Sequence, residues 1–152
     1  MTSSATTVRV ATAVDSAAVT AMAVEFYSAE GFATDARELG NNLVTLLASP
    51  AARVAVVDGG AELLGFAVTT TGFGLENGPI AVLDDLFVVP SARRLGLGGL
   101  LIEDCTAWAR ERGCPYLELV VAPNGRDVGH LFTYYRARGF LDEGRRLLSK
   151  RL

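Results

Sequence analysis

The chain is poor in the residues on which several kinds of chemistry depend. It has only two cysteines, Cys105 and Cys114, nine positions apart. That spacing fits neither a zinc site nor a redox pair, so reduced thiols in a cytoplasmic protein are expected. No apolar run is long enough and free enough of charge to read as a membrane span. With half its residues hydrophobic and a fifth charged, the chain is too apolar to stay disordered. Linkers, repeats and low-complexity tracts are missing, and MTSSATTVRV at the start has neither a basic region nor an apolar core, so no signal peptide is expected. Positive charge is also in deficit. The net charge of −3 argues against nucleic acid as a partner. What remains is 152 residues, the length of one ordinary domain, expected over 3–152, with enough chain to bury a single core.

The charge is unevenly placed. Residues 1–90 carry three basic side chains (Arg9, Arg37 and Arg53) against ten acidic ones, while residues 91–152 carry eleven basic against seven acidic. Such a split suggests one surface for a cation and another for an anion, although solvated faces segregating by chance would give the same count.

Pattern and punctuation predict a short strand over Val8–Ala11, a helix from an Asp15 N-cap to about Ala29, and a second helix over Ala36–Ala48. Strands follow at 53–57 and 63–70 around an Asp58-Gly59-Gly60 turn, then a glycine-rich loop over 71–79 and a strand over 80–89. Leu97–Arg112 is the clearest helix, with Leu97, Leu101, Cys105 and Trp108 on one face and Gly113 and Pro115 as a stop. A strand at 116–121, a helix over Asp127–Arg138 and a terminal strand over Arg145–Leu152 complete the order. Alternation of this kind predicts an α/β protein with a mixed, partly parallel sheet.

The segment VVPSARRLGLGGLL (88–101) carries the most chemistry. A strand ends at Pro90, Arg93 and Arg94 follow, and Gly96, Gly98 and Gly99 open the long helix. N–H groups at a helix start carry partial positive charge, and glycine lets a phosphate approach them without meeting a Cβ. A purely structural turn would use the same glycines. The spacing is wrong for a dinucleotide fingerprint, and no Gly-Lys-Ser/Thr follows to make a nucleoside-triphosphate loop.

Arg93, Gly96 and Gly98, following Val88 and Pro90, resemble the Arg/Gln-x-x-Gly-x-Gly/Ala signature of the GCN5-related N-acetyltransferases, the GNAT superfamily. The closing YYRARGF (134–140) and the element order extend the resemblance over the whole chain. It implies the acyl-CoA N-acyltransferase fold, a central twisted mixed sheet of about six or seven strands flanked by four helices. It also implies acetyl-CoA as cosubstrate, with no metal. Cofactor contacts would come from Phe87, Val88 and Val89 at the strand end, from Arg93, Arg94, Leu95, Gly96, Leu97, Gly98 and Gly99, and from Asn124 and Tyr135. An N–H at Val88 would meet the thioester carbonyl, beside a bulge that splays the strands.

Acetylating an amine needs a base for the ammonium proton and an acid for the departing thiolate; direct transfer gives neither cysteine a nucleophilic role. By resemblance the acid is Tyr135, five residues before Phe140. Tyr134 is the reserve, and a packed core tyrosine is the structural alternative. The base is expected from Asp84 or Asp85, two adjacent carboxylates in an apolar strand, where burial is costly unless each finds a partner or a wet cleft. Neighbouring strand residues face opposite ways, so the pair cannot share one task, and neither is preferred. Leu-Asp-Asp-Leu-Phe-Val resembles the same strand in diamine-type, small-amine acetyltransferases. The asparagine that the family carries about seven residues before the acid fits Asn124 only with an insertion of four, and this puts its role in doubt. His130, the single histidine, falls in that insertion and is expected to have a surface or capping role.

Acceptor contacts are expected from Phe26, Tyr27, Glu30 and Glu76, since carboxylates and aromatic faces both attract ammonium groups. Phe26 would serve equally well as core or dimer contact. The expected reaction is N-acetylation of a small-molecule primary amine (polyamine, aminoglycoside or amino-acid-like). The alternatives are a protein lysine or N-terminal acetyltransferase and a non-catalytic acetyl-CoA-binding regulator. By resemblance the partner set is a small amine and a second copy in a homodimer, without nucleic acid or membrane.

Overall fold

Strand β2, Ala52–Asp58, shows how the sheet divides the molecule. Val54 and Val56 point to one face and Ala55 and Val57 to the other, and all four are buried. A strand covered on both faces needs apolar residues throughout instead of an alternating pattern. The computed structural model describes residues 5–122 and 127–152. Within them the sheet order is β1-β2-β3-β4-β5. β1 (Thr7–Val10), β2, β3 (Leu63–Gly74) and β4 (Gly78–Val88) are antiparallel neighbours, and β5 (Leu117–Glu118) joins β4 in parallel.

Helices cover both faces. α1 (Ser16–Ala29) and α2 (Ala36–Ala48) bury Val19, Met22 and Leu43 against Val54, Val56, Phe66 and Phe87. α3 (Leu97–Glu111) buries the expected stripe of Leu97, Leu101, Cys105 and Trp108, the first three of them against Ala55, Val57, Ala67 and Leu83. α4 (Gly129–Arg136) adds Tyr134 and Tyr135 to this second layer. The result is the mixed α/β sheet with four helices that the sequence implies.

Four local expectations are corrected. First, the sheet has five strands among the described residues instead of six or seven, because Arg145–Leu152 forms no ladder. Among the described residues its backbone pairs with no strand, and Arg145 donates to Glu118 of β5 at 3.4 Å. Second, β5 is two residues long rather than six. Third, 71–79 is a hairpin. β3 and β4 pair through Gly72↔Ile80, Phe73↔Pro79 and Gly74↔Gly78, leaving only 75–77 as the turn. Glycine hid the alternation that marks a strand. Fourth, Asp15 is the N-cap residue of α1 as expected, but its side chain makes no cap bond. Its carboxylate turns back to accept from the Thr12 N–H at 2.7 Å and from Arg9 at 2.9 and 3.0 Å. Arg9 also donates to Asp58 at 2.9 Å, clamping the chain start to the end of β2.

Candidate active site

The register of β4 separates the two carboxylates. Val68 of β3 stands opposite Asp85 and Thr69 opposite Leu83, so Asp84 is an extra residue, a β-bulge. Ala81 and Leu83 before the bulge face α3, as do Leu86 and Val88 beyond it, while Phe87 faces α1. Asp85 shares the face of Phe87. Asp84 is left exposed, accepting from the Thr70 hydroxyl at 2.6 Å. Asp85 is partly buried beneath α1 and accepts from the Tyr27 hydroxyl. Burial pushes the Asp85 carboxyl above its ordinary range; the Tyr27 hydrogen bond pulls it down and the Asp84 charge adds to the rise. Tyr27 is itself held well above the usual tyrosine value, by burial first and then by its bond to Asp85.

A bulged strand bends and gains twist. β5 accordingly bonds β4 only opposite Ala81 and Val82. From the bulge to Val88 the outer edge of β4 has no strand beside it among the described residues. Val88 stands opposite Gly65, and the flanking Val89 N–H donates to Leu64 at 2.9 Å. In an antiparallel ladder this makes Val88 a non-hydrogen-bonded pair member, with its own N–H and C=O turned to the open edge. Arg93 claims the carbonyl there, donating from Nε at 2.9 Å while its guanidinium lies 5.6 Å from the centre of the Phe87 ring. Arg93 thus braces the loop onto β4 through its Nε.

The entry to α3 has the shape of an anion cradle. Arg94, a non-glycine residue, takes φ 65°, and Gly96 at the N-cap takes φ 78°, where a Cβ would be strained. The first bond of the helix runs from the Leu100 N–H to the Gly96 carbonyl at 3.2 Å, so the N–H groups of Leu97, Gly98 and Gly99 have no acceptor within it. A Cβ on Gly98 would come within 2.5 Å of the Tyr134 hydroxyl. Three such donors, an approach free of side chains at Gly96 and an exposed arginine at 94 fit a diphosphate such as that of coenzyme A. Leu97 turns inward as core, and Leu95 stays exposed.

Tyr135 lies in the α3 layer, with its ring edge-on to Phe140 at 5.6 Å and to Tyr134 at 5.3 Å. Burial raises its hydroxyl above the ordinary value, Tyr134 adds to the rise and Arg138 opposes it. Such a group keeps its proton at neutral pH. The sequence pattern missed Arg138. Its guanidinium stacks 3.6 Å from the centre of the Tyr134 ring, donates to the Tyr134 carbonyl at 3.1 Å and borders Gly99. The available signal was its position four residues after Tyr134, just past the end of α4. Thr70 and the Tyr27–Asp85 bond were missed too, because neither is visible without the register.

Of the expected acceptor residues, Tyr27 and Phe26 meet at Asp85 and Phe87; the Phe26 and Phe87 rings are 5.6 Å apart, so Phe26 is part of the core. Glu30 closes α1, its N–H on the Phe26 carbonyl at 3.1 Å. Glu76 is exposed at the tip of the β3–β4 hairpin, where the strand from Gly78 to Asp84 separates it from the carboxylates by roughly 20 Å. His130 is exposed in the first turn of α4, and Asn124 lies outside the described residues. Among the described residues no three of His, Cys, Asp and Glu are grouped to hold a metal ion, and no helix is long and apolar enough to cross a membrane.

Comparison with known proteins places the chain among acetyltransferases. An aminoglycoside N(6')-acetyltransferase type 1 from Klebsiella aerogenes is 40% identical over 80 residues, covering 51% of this chain and 53% of the relative, so the match spans about half of each. An integron cassette protein from the mobile metagenome of Cole Harbour Salt Marsh is 31% identical over 95% of this chain and 90% of its own, with a TM-score of 0.82. The aminoglycoside acetyltransferase AAC(6')-Iy, solved with the bisubstrate analogue CoA-S-monomethyl-acetylneamine, shares the fold with a TM-score of 0.84. It is 17% identical over 98% of this chain and 99% of its own. The model of the acetyltransferase (GNAT) family matches residues 17–140. With that match running from α1 through the α3 cradle to Phe140, the chain belongs to the GNAT acetyltransferase family.

Proposed function

We propose that the chain transfers the acetyl group of acetyl-CoA to a primary amine of a small, multiply charged molecule, with aminoglycosides the foremost class. The observation that carries this reading is Asp85, a partly buried carboxylate under α1 beside an open strand edge that ends at Val88. A carboxylate so placed draws in an ammonium group and accepts its proton, directly or through a water. The relative named for aminoglycosides supports the acceptor class.

Acetyl-CoA supplies an activated thioester, and the chain's own residues do the rest. The free N–H groups of Leu97, Gly98 and Gly99, with Arg94, hold the diphosphate. Val88 presents its N–H where negative charge builds on the thioester oxygen. Asp85 takes the proton from the amine, and the Tyr135 hydroxyl returns one to the leaving sulfur. Asp84, exposed and bonded to Thr70, adds negative field at the mouth. Tyr27 and Glu30 border the acceptor side, and a cytoplasmic homodimer completes the reading.

The test is thiol release from acetyl-CoA across aminoglycosides, polyamines, amino acids and lysine-bearing peptides. Turnover with aminoglycosides well above that with peptides is expected. Turnover with peptides alone would assign the protein-modifying alternative, and tight acetyl-CoA binding with no acceptor the regulatory one.

A further inference from the structure

Asp85 has two oxygens, and the fold assigns one of them. Oδ1 accepts from the Tyr27 hydroxyl, which reaches it from the last turns of α1. The contact is not a chance meeting of two surface groups, because both members are partly buried and both elements are fixed beside them. Phe26, the preceding residue of α1, packs its ring on Phe87 at 5.6 Å, and Phe87 is the next same-face residue of β4 after Asp85. The Tyr27 and Phe26 rings are themselves 5.1 Å apart. The bulge at Asp84 is what turns Asp85 toward α1 at all.

We infer that Tyr27 is a positioning residue for the reaction rather than an acceptor contact: by donating to Oδ1 it fixes the Asp85 carboxylate, leaving Oδ2 for the amine proton. This rests on the reading of Asp85 as the base. The charged and titratable groups around Asp85 are few. Asp84 on its own strand adds a like charge and Tyr27 faces it from α1. Glu30 stands at the end of α1, and Arg93 lies over Phe87 with its Nε committed to the Val88 carbonyl. A hydrogen bond donated to a carboxylate favours the ionised form, whereas burial and Asp84 favour the neutral one. Without the hydroxyl, the two opposing influences act alone.

The experiment is the pH profile of kcat/KM for Tyr27→Phe, Asp85→Asn and the wild type, with one turned-over small amine and saturating acetyl-CoA. Circular dichroism verifies that each variant is folded. Tyr27→Phe is expected to move the acid limb to higher pH, with a loss of about tenfold on the acid side, the size of a hydrogen bond to a charged group. Asp85→Asn is expected to abolish the limb. A limb abolished by Asp85→Asn but unmoved by Tyr27→Phe overturns the role of Tyr27 and leaves the base in place. A limb that survives Asp85→Asn removes the base, and the inference with it. The same displacement is read without turnover by following the Asp85 carboxyl carbon by NMR through an acid titration. An unchanged titration midpoint in Tyr27→Phe overturns the inference by itself.

Discussion

Tyr135, Asp84, Asp85 and Asp15 sit within this fold in four different environments, and each environment gives its residue a measurable signature. Tyr135, kept protonated by burial, is suited to give up a proton once per turnover. Tyr135→Phe should lower kcat roughly 10²-fold or more, the usual weight of a general acid. Calorimetry of coenzyme A should show little change in affinity, since the hydroxyl acts on sulfur and not on the diphosphate. Asp84 and Asp85 should separate in the same way. Asp85→Asn should lose about 10²-fold or more in kcat/KM; Asp84→Asn, exposed and held by Thr70, should lose much less. Because burial raises the Asp85 carboxyl, wild-type kcat/KM should fall as pH drops through that raised value, earlier than for an exposed aspartate. Asp15 behaves oppositely. The Arg9 hydrogen bond, followed by the Thr12 N–H, holds it near 2, below its ordinary 3.8. It therefore stabilises the fold above pH 3.8, a contribution lost as pH falls through about 2. Asp15→Asn should lower the melting midpoint at neutral pH and flatten its decline in acid, as scanning calorimetry would show.

At the scale of the element, the bulge in β4 and the entry to α3 matter most. Both show where sequence pattern is informative and where it stops. The α3 stripe was legible because four apolar residues recur at helical spacing, and all four are buried. The turn into α3 was legible because Gly96 takes φ 78°; a Cβ there would meet no neighbour but would strain an L-residue. Gly96→Ala should cost about 1–2 kcal/mol in stability and weaken coenzyme A, measured by denaturant melts and calorimetry. The roles of Asp84 and Asp85 were not legible, since a bulge belongs to two strands paired and not to either alone. The hairpin over 71–79 escaped for a related reason: Gly72, Gly74 and Gly78 pair across the ladder but carry no side chains to alternate. The expected strand at Arg145–Leu152 failed because apolar content does not supply a neighbouring edge, and Leu148 is 91% exposed. Deleting Asp84 would restore plain alternation from Leu83 to Phe87. It should leave a folded protein with at least tenfold weaker coenzyme A binding, because a straightened β4 lets β5 run alongside and close the edge.

For the whole molecule, the opposed charges of the two halves acquire a spatial meaning. Arg94 lies in the loop before α3 and Arg138 borders Gly99 in its first turn, while Asp84 and Asp85 stand on β4. Under the proposed function an anionic cofactor and a cationic acceptor would each be met by the opposite sign. Raising ionic strength should therefore increase KM for both substrates more than it lowers kcat.

The sheet acts as a partition with a slot along one margin. Asp85 is reached from the α1 compartment, while the α3 cradle and Tyr135 belong to the opposite one. Under the proposed function the two reactants would lodge on separate sides and meet only through the slot, so neither would have to vacate before the other arrives. Double-reciprocal plots at several fixed concentrations of the second reactant should converge, and parallel lines would mean that the partition does not work this way.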